Sequence, residues 1–334
     1  MRTDSGIRLF AALFASLLLA AGCAANKEAV APAGPAAAPK AELPKEVDVS
    51  LRLSPGDAWK SRFVSTSETK RTLVGADGKK SEKTRIVGLE LVATQKVTDV
   101  NGTVARIEVT ETETRILQEG KFLPAPYKQF NPPNPVTFTI DTATGQTDFS
   151  GMRQAYGKWM EDVKQGPAGD ILGKTFRLPG YLAVLQEMYG KPFLRVSGKK
   201  LSREETPAGK DVVLPFLGPG AVSSPIPVEG TIRYTGFEAK RGRHLLAVSG
   251  KYEGRPDLSS GDEFAARLAE FGLPPQGNFT SSGSASGNFE SSVDLLSGRE
   301  LQSTGKLSYA AKWVFGGSTI TEEVAGKSIL EPAE

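Results

Sequence analysis

Residues 301–313 read Leu-Gln-Ser-Thr-Gly-Lys-Leu-Ser-Tyr-Ala-Ala-Lys-Trp, and their alternation decides the fold class. Leu301, Ser303, Gly305, Leu307, Tyr309, Ala311 and Trp313 take one face, while Gln302, Thr304, Lys306, Ser308, Ala310 and Lys312 take the other. Successive side chains of a strand point to opposite faces, so this run predicts one long strand with a dry and a wet side. Glycine and serine on the dry side predict strong curvature or close packing.

The same period of two recurs elsewhere. Val136, Phe138 and Ile140 alternate with threonine and aspartate; Leu246, Val248 and Tyr252 share a face with Gly250; Phe289, Val293 and Leu295 oppose Asn288, Glu290, Ser292 and Asp294. Turn chemistry sits between strand-like runs. Asp77-Gly78 separates the polar run 62–74 from 85–94, Asn101-Gly102 separates 89–97 from 104–110, and Lys240-Arg241-Gly242 separates 232–237 from 245–252. These pairs tolerate the positive φ of tight hairpin turns.

Three stretches carry helical spacing. Met152, Tyr156, Trp159, Met160 and Val163 form a stripe that follows Ser150 as a cap. Tyr181, Leu182, Val184, Leu185, Met188 and Tyr189 follow Pro179-Gly180. Phe264, Leu268 and Phe271 follow Ser260 and Glu263 at capping-box spacing. The expected fold class is therefore mainly β (α+β): curved antiparallel sheets or a half-barrel with about three packed helices. Asp141-x-x-Thr144-Gly145 and Asp294-x-x-Ser297-Gly298 echo one another after a strand. They suggest two related halves, 48–200 and 201–330, within a domain spanning 48–330.

Ahead of that domain, residues 24–47 are rich in alanine, proline and charge, with Pro32, Pro35, Pro39 and Pro44 breaking any helix. This segment reads as a tether, able to reach about 70 Å at about 3.1 Å per residue. Before it, Arg2 and Arg8 precede an apolar run at 9–21 that ends in Leu17-Leu18-Leu19-Ala20-Ala21-Gly22-Cys23. The run is short for a membrane span. It resembles the lipobox of bacterial lipoproteins, with Ala20 standing where leucine is commonest. The resemblance implies a signal peptide over 1–22, diacylation of Cys23 and acylation of the new amino terminus. Acyl chains at about 0.8 kcal/mol per buried CH₂ would then hold the chain on a membrane. Ala24 and Ala25, rather than aspartate, follow the cysteine; by the same resemblance the protein goes to the outer membrane and faces the periplasm.

Composition narrows the chemistry. Lys and Arg number 41 against 38 Asp and Glu, a formal charge of +3, which argues against nucleic acid as a partner. Cys23 is the only cysteine, so no intramolecular disulfide is available and an apolar core must supply stability. Hydrophobic residues make up 39%, which suits antiparallel sheets wetted on one side. His244 is the only histidine and stands in a basic strand context without a local triad partner. With one histidine and a lipidated cysteine, a zinc site is not expected. The two Asp-x-x-Thr/Ser-Gly sequences lack a calcium loop's ladder of oxygens and read as backbone turns. Glu68, Glu82, Glu111 and Glu113 read as wet-face strand residues, and the Gly/Ser run 281–287 lacks the context of a phosphate loop. No catalytic residue, cofactor or metal is expected. Residues 126–135 read as a crossing loop carrying Tyr127 and Phe130.

Leu51-x-Leu53-x-Pro55-Gly56-Asp57-x-Trp59, the lipobox, and the strand-Asp-x-x-Ser-Gly hairpin at 294–298 together resemble uncharacterised bacterial envelope lipoproteins. The architecture is similar to the lipoprotein-carrier fold, a curved half-barrel with helices in its concave face. That likeness transfers no active-site residue. The lead expectation is a non-catalytic protein that binds an apolar or amphipathic ligand, or an envelope partner, between sheet and helices. Trp159, Met160, Tyr181, Leu185, Met188, Phe264, Leu268 and Trp313 are the candidate lining, with ordinary core packing as the alternative for each. A scaffold lipoprotein without a small ligand and an envelope-polymer hydrolase are the competing readings.

Overall fold

The computed structural model describes residues 44–333, apart from 126–128, 130, 167–184, 186–187, 191–195, 197, 214–225, 241 and 276. The expected signal peptide, Cys23 and most of the tether lie outside the described residues, as do Tyr181, Tyr127 and Phe130.

The long alternating run at 301–313 forms the body of β13 (Glu300–Phe315), and its neighbours β12 (Thr280–Asp294) and β14 (Ser318–Pro332) pair with it antiparallel along nearly their whole length. Two meanders make one twelve-stranded sheet. The first contains β2 (Ala58–Val74), β3 (Lys80–Asn101), β4 (Val104–Gln118), β5 (Lys121–Pro124), β6 (Val136–Asp141) and β7 (Thr147–Asp148). The second contains β9 (Thr206–Val213), β10 (Ile226–Lys240), β11 (Arg243–Gly254), β12, β13 and β14. They join where β14 pairs with β2 from Thr319↔Val74 to Pro332↔Ser61. A separate two-stranded ribbon pairs β1 (Glu46–Val49) with β8 (Lys199–Ser202). The three turns marked by Asp77-Gly78, Asn101-Gly102 and Lys240-Gly242 fall between the strands they were expected to join.

Three apolar clusters cover the inner face of the sheet. α1 (Ser150–Lys164) lays Met152, Tyr156, Trp159 and Met160 against Ile107, Val109, Phe138 and Ile140. α2 (Gly261–Glu270) lays Phe264 and Leu268 against Tyr309, Trp313, Phe315, Ile320 and Val324. The β1–β8 ribbon lays Val49 and Leu201 against Ile232, Tyr234, Leu246, Val248 and Val293. Each helix is amphipathic, so its stability comes from this burial rather than from propensity.

The expectation of about three helices is corrected: the described residues form two helices against a single sheet of twelve strands. Of the stretch 181–189, only Leu185, Met188 and Tyr189 are described; they are helical and buried in the first cluster. The rest of that expected helix lies outside the described residues. The cap of α1 also differs from expectation. Ser150 is the first helical residue, and the Asp148 carboxylate accepts from its N–H at 2.8 Å and its hydroxyl at 2.9 Å. For α2 the expected cap is present: Ser260 Oγ accepts from the Glu263 N–H at 3.3 Å.

The two echoing turns are built alike. Gly145 N–H donates to Asp141 O at 2.7 Å and Gly298 N–H donates to Asp294 O at 2.7 Å, with φ of 74° and 70° at the glycines. Each aspartate side chain accepts a backbone N–H two residues on, at 2.8 and 3.1 Å. Both aspartates therefore organise the backbone, as the turn reading expected.

Candidate functional site: a lysine-lined groove across the sheet

The residues expected to line a ligand cavity separate into two cores. Trp159, Met160, Leu185 and Met188 lie in the cluster around α1, and Phe264, Leu268 and Trp313 in the cluster around α2. All seven are buried, with Trp159 the most exposed at 8%. Phe264 packs tilted against Phe279 and edge-on against Phe315 at centroid distances of 4.3 and 5.1 Å, so the α2 core is filled by its own rings.

A polar clamp fixes α2 to the sheet. Glu322, fully buried on β14, accepts from Arg71 of β2 and from Arg267 of α2, the latter at 3.3 Å. Arg71 also reaches Glu270, and Lys83 of β3 donates to the Glu270 carbonyl. The Arg267 guanidinium lies 5.4 Å from the Trp313 ring centroid. Burial of this triad is sustainable because its charges pair and the guanidiniums donate further bonds, Arg71 to Glu270 and Arg267 to the Glu263 carbonyl.

Pro55-Gly56-Asp57-Ala58-Trp59, part of the entry to the expected domain, is structural. Asp57 Oδ2 accepts from Ser54 N–H at 2.8 Å, Gly56 N–H donates to Val97 O at 2.9 Å, and Val97 N–H donates to Asp57 O at 2.8 Å. Trp59 then lies beneath Arg299, whose guanidinium sits 4.0 Å from the ring centroid. Burial, and next the Arg243 charge, pull the Arg299 pKa down to about 10, against Asp294 and Asp57.

Glu111 departs from the wet-face expectation. It is buried on the inner face of β4, and the hydroxyls of Tyr156, Tyr189 and Thr114 donate to its carboxylate at 3.3, 3.4 and 3.4 Å. The signal was present in the sequence, because Glu111 shares parity with Ala105, Ile107 and Val109. A hollow of about 490 Å³ adjoins it, bounded by Glu113, Pro124, Asn131 and Asn134. Asn134 holds the Glu111 backbone through both amide atoms, at 3.0 and 2.8 Å, in place of a paired strand. This carboxylate anchors the hydroxyls of its neighbours.

The larger groove, about 670 Å³, crosses six strands. Its floor follows one cross-strand row: Tyr252, Gly287, Leu307, Gly326 and Ser67. On the inner face Tyr252 lies across Gly287; a Cβ there would sit 2.3 Å from the phenol oxygen and from Lys306 O. The Tyr252 hydroxyl donates to Lys306 O at 3.1 Å. Glycine is required here because a ring passes over the neighbouring backbone. The solvent face carries the two walls. Lys251, Asn288, Lys306, Lys327 and Thr66 form one, and Glu253, Ser286, Ser308, Ala325, Glu68 and Ile86 form the other. Sequence reasoning placed Lys306 on the wet face without reaching this row, since the register of four separate strands is needed to assemble it.

No family model matches the chain, and no curated protein matches it. Among solved structures, it is similar over 85% of its length to a structure of lipid–protein interactions in lipovitellin, at 9% identity and a TM-score of 0.37. The chain spans about a quarter (26%) of that protein. Over 84% of its length it is similar to the outer membrane protein OprG from Pseudomonas aeruginosa, covering 99% of that chain at 7% identity and a TM-score of 0.19. An outer membrane channel from Pseudomonas putida F1 is similar over 84% of this chain and 97% of that one, at 8% identity and a TM-score of 0.18. These likenesses are weak and carry no functional argument for this chain.

Proposed function

We propose that this is a lipid-anchored, periplasm-facing, non-catalytic protein that binds an elongated amphipathic ligand in the groove across its sheet. The observation that carries the reading is the groove itself, about 670 Å³ and continuous over six strands, while the helices' apolar faces are already used by the core. A groove of this volume, with backbone between two side-chain walls, has room for a small amphiphile. Anchoring through Cys23 would hold such a site near the membrane that supplies its ligand. The tether at 24–47 supplies reach.

The test is native mass spectrometry of the full chain extracted from membranes in a neutral maltoside detergent. The expected spectrum shows the acylated Cys23 form with a non-covalent amphiphile retained at low activation energy. A chain that carries no such adduct, and gains none when alkyl amphiphiles are added, removes the binding role and favours the scaffold reading.

A further inference from the structure

The groove carries a charge arrangement that the sheet does not need for its own stability. Lys306 and Lys327 stand directly opposite one another on β13 and β14, with Asn288 beside Lys306 and Lys251 beside Asn288 in the same cross-strand row. At about 4.8 Å between strands, Lys251 to Lys327 spans about 14 Å. Lys251 is held by Glu205 at 2.9 Å. Among the described residues, neither Lys306 nor Lys327 has a carboxylate partner. Like charges placed directly opposite destabilise a ladder, and a groove concentrates their field. The facing wall is small at the same level: Ser286 and Ser308 are exposed and leave space for a group of atoms between the walls. Their hydroxyls and the two ammonium groups are all able to donate hydrogen bonds, the set that an oxyanion accepts.

We infer that Lys306 and Lys327, with Ser286 and Ser308, bind the anionic head of an amphiphile, a phosphate or a carboxylate, whose apolar part runs along the groove toward Ile86. This rests on the reading of the groove as the ligand site. Glu253 at one end of the facing wall, and Glu68 next to Ile86 toward the other, place negative charge away from the Lys306–Lys327 pair, so the head has one favoured position.

The experiment titrates the full chain, in neutral maltoside detergent, with hexyl phosphate, hexanoate, hexanol, hexyltrimethylammonium and inorganic phosphate. Lysine side chains carrying ¹³C-methyl groups report the site by NMR, with signals assigned from single variants. Hexyl phosphate and hexanoate are expected to shift the Lys306 and Lys327 signals and to bind about tenfold tighter than hexanol. The cationic probe is expected to bind weakest. The K306Q/K327Q variant should lose that tenfold preference while keeping its affinity for hexanol, because exposed charges contribute about two- to fivefold each. Affinity for the anions should fall as salt rises from 0.01 to 0.15 M. Inorganic phosphate binding as tightly as hexyl phosphate also supports the anion site and identifies a free anion as its source. Equal binding of hexanol and hexyl phosphate overturns the anion site and leaves the groove reading intact. Absence of any shift at Lys306 and Lys327 with every alkyl probe overturns both.

Discussion

Replacing Glu322 with glutamine removes the charge that holds Arg71 and Arg267 at the base of α2, without changing side-chain volume. Glu322 is fully buried and Arg267 is 3% exposed, so the variant strands a guanidinium that solvent does not reach. Arg71 keeps Glu270, whereas Arg267 keeps the Glu263 carbonyl at 3.3 Å. Breaking one partner of a buried pair costs about 3–5 kcal/mol. At about 2 °C per kcal/mol, the lower end for a chain of this size, Tm should fall by about 6–10 °C. Thermal unfolding followed by tryptophan fluorescence reads this directly, since Arg267 lies over Trp313. The double variant E322L/R267M should recover at least half of the loss, because an apolar pair of similar volume has no desolvation cost. A loss below about 1 kcal/mol for E322Q, or a double variant no more stable than the single one, would refute the claim that a dry ion pair clamps the helix.

Four further outcomes can be measured. Trp59→Ala should cost about 1–3 kcal/mol in urea unfolding, combining the lost contact with Arg299 and lost burial. Gly287→Ala should cost about 1–3 kcal/mol through overlap with Tyr252, and Tyr252→Ala in that background should restore part of it. The bonds from Ser150 hold the Asp148 carboxyl below its ordinary value, so its contribution is present above the unfolded pKa and lost as pH falls through the lower folded one. A ¹³C titration of Asp148 should show that depressed midpoint, and the S150A variant should move it upward. Cys23→Ala should abolish palmitate incorporation and release the protein from the membrane fraction, where a labelled, membrane-bound variant would contradict the anchor.

Much of the fold was legible because long antiparallel strands write their faces into the sequence. The alternation at 301–313 matches the inner and outer sides of β13 residue by residue, and the Asn-Gly and Asp-Gly turns set their hairpins locally. The first half of β12 was not legible. Thr280–Gly287 is serine and glycine apart from Thr280 and Ala285, with no apolar alternation, yet Gly287 is on the inner face because Tyr252 fills its space. The pairing of β14 with β2 joins residues some 250 positions apart, and no local pattern encodes it. The candidate site suffered most from this. Each groove lysine is an ordinary wet-face residue on its own strand, and only the register brings Lys306 against Lys327. The aromatic and methionine stripes were read correctly as apolar faces, but their destination in two filled cores depended on tertiary packing.

The most direct measurement is photo-cross-linking of the membrane-extracted protein with a diazirine-bearing alkyl phosphate, followed by peptide mapping. Labels concentrated on 306–308 and 325–327 are the predicted result. Labels within 264–268 or 156–160 would place the ligand beneath the helices instead and contradict the groove as its seat.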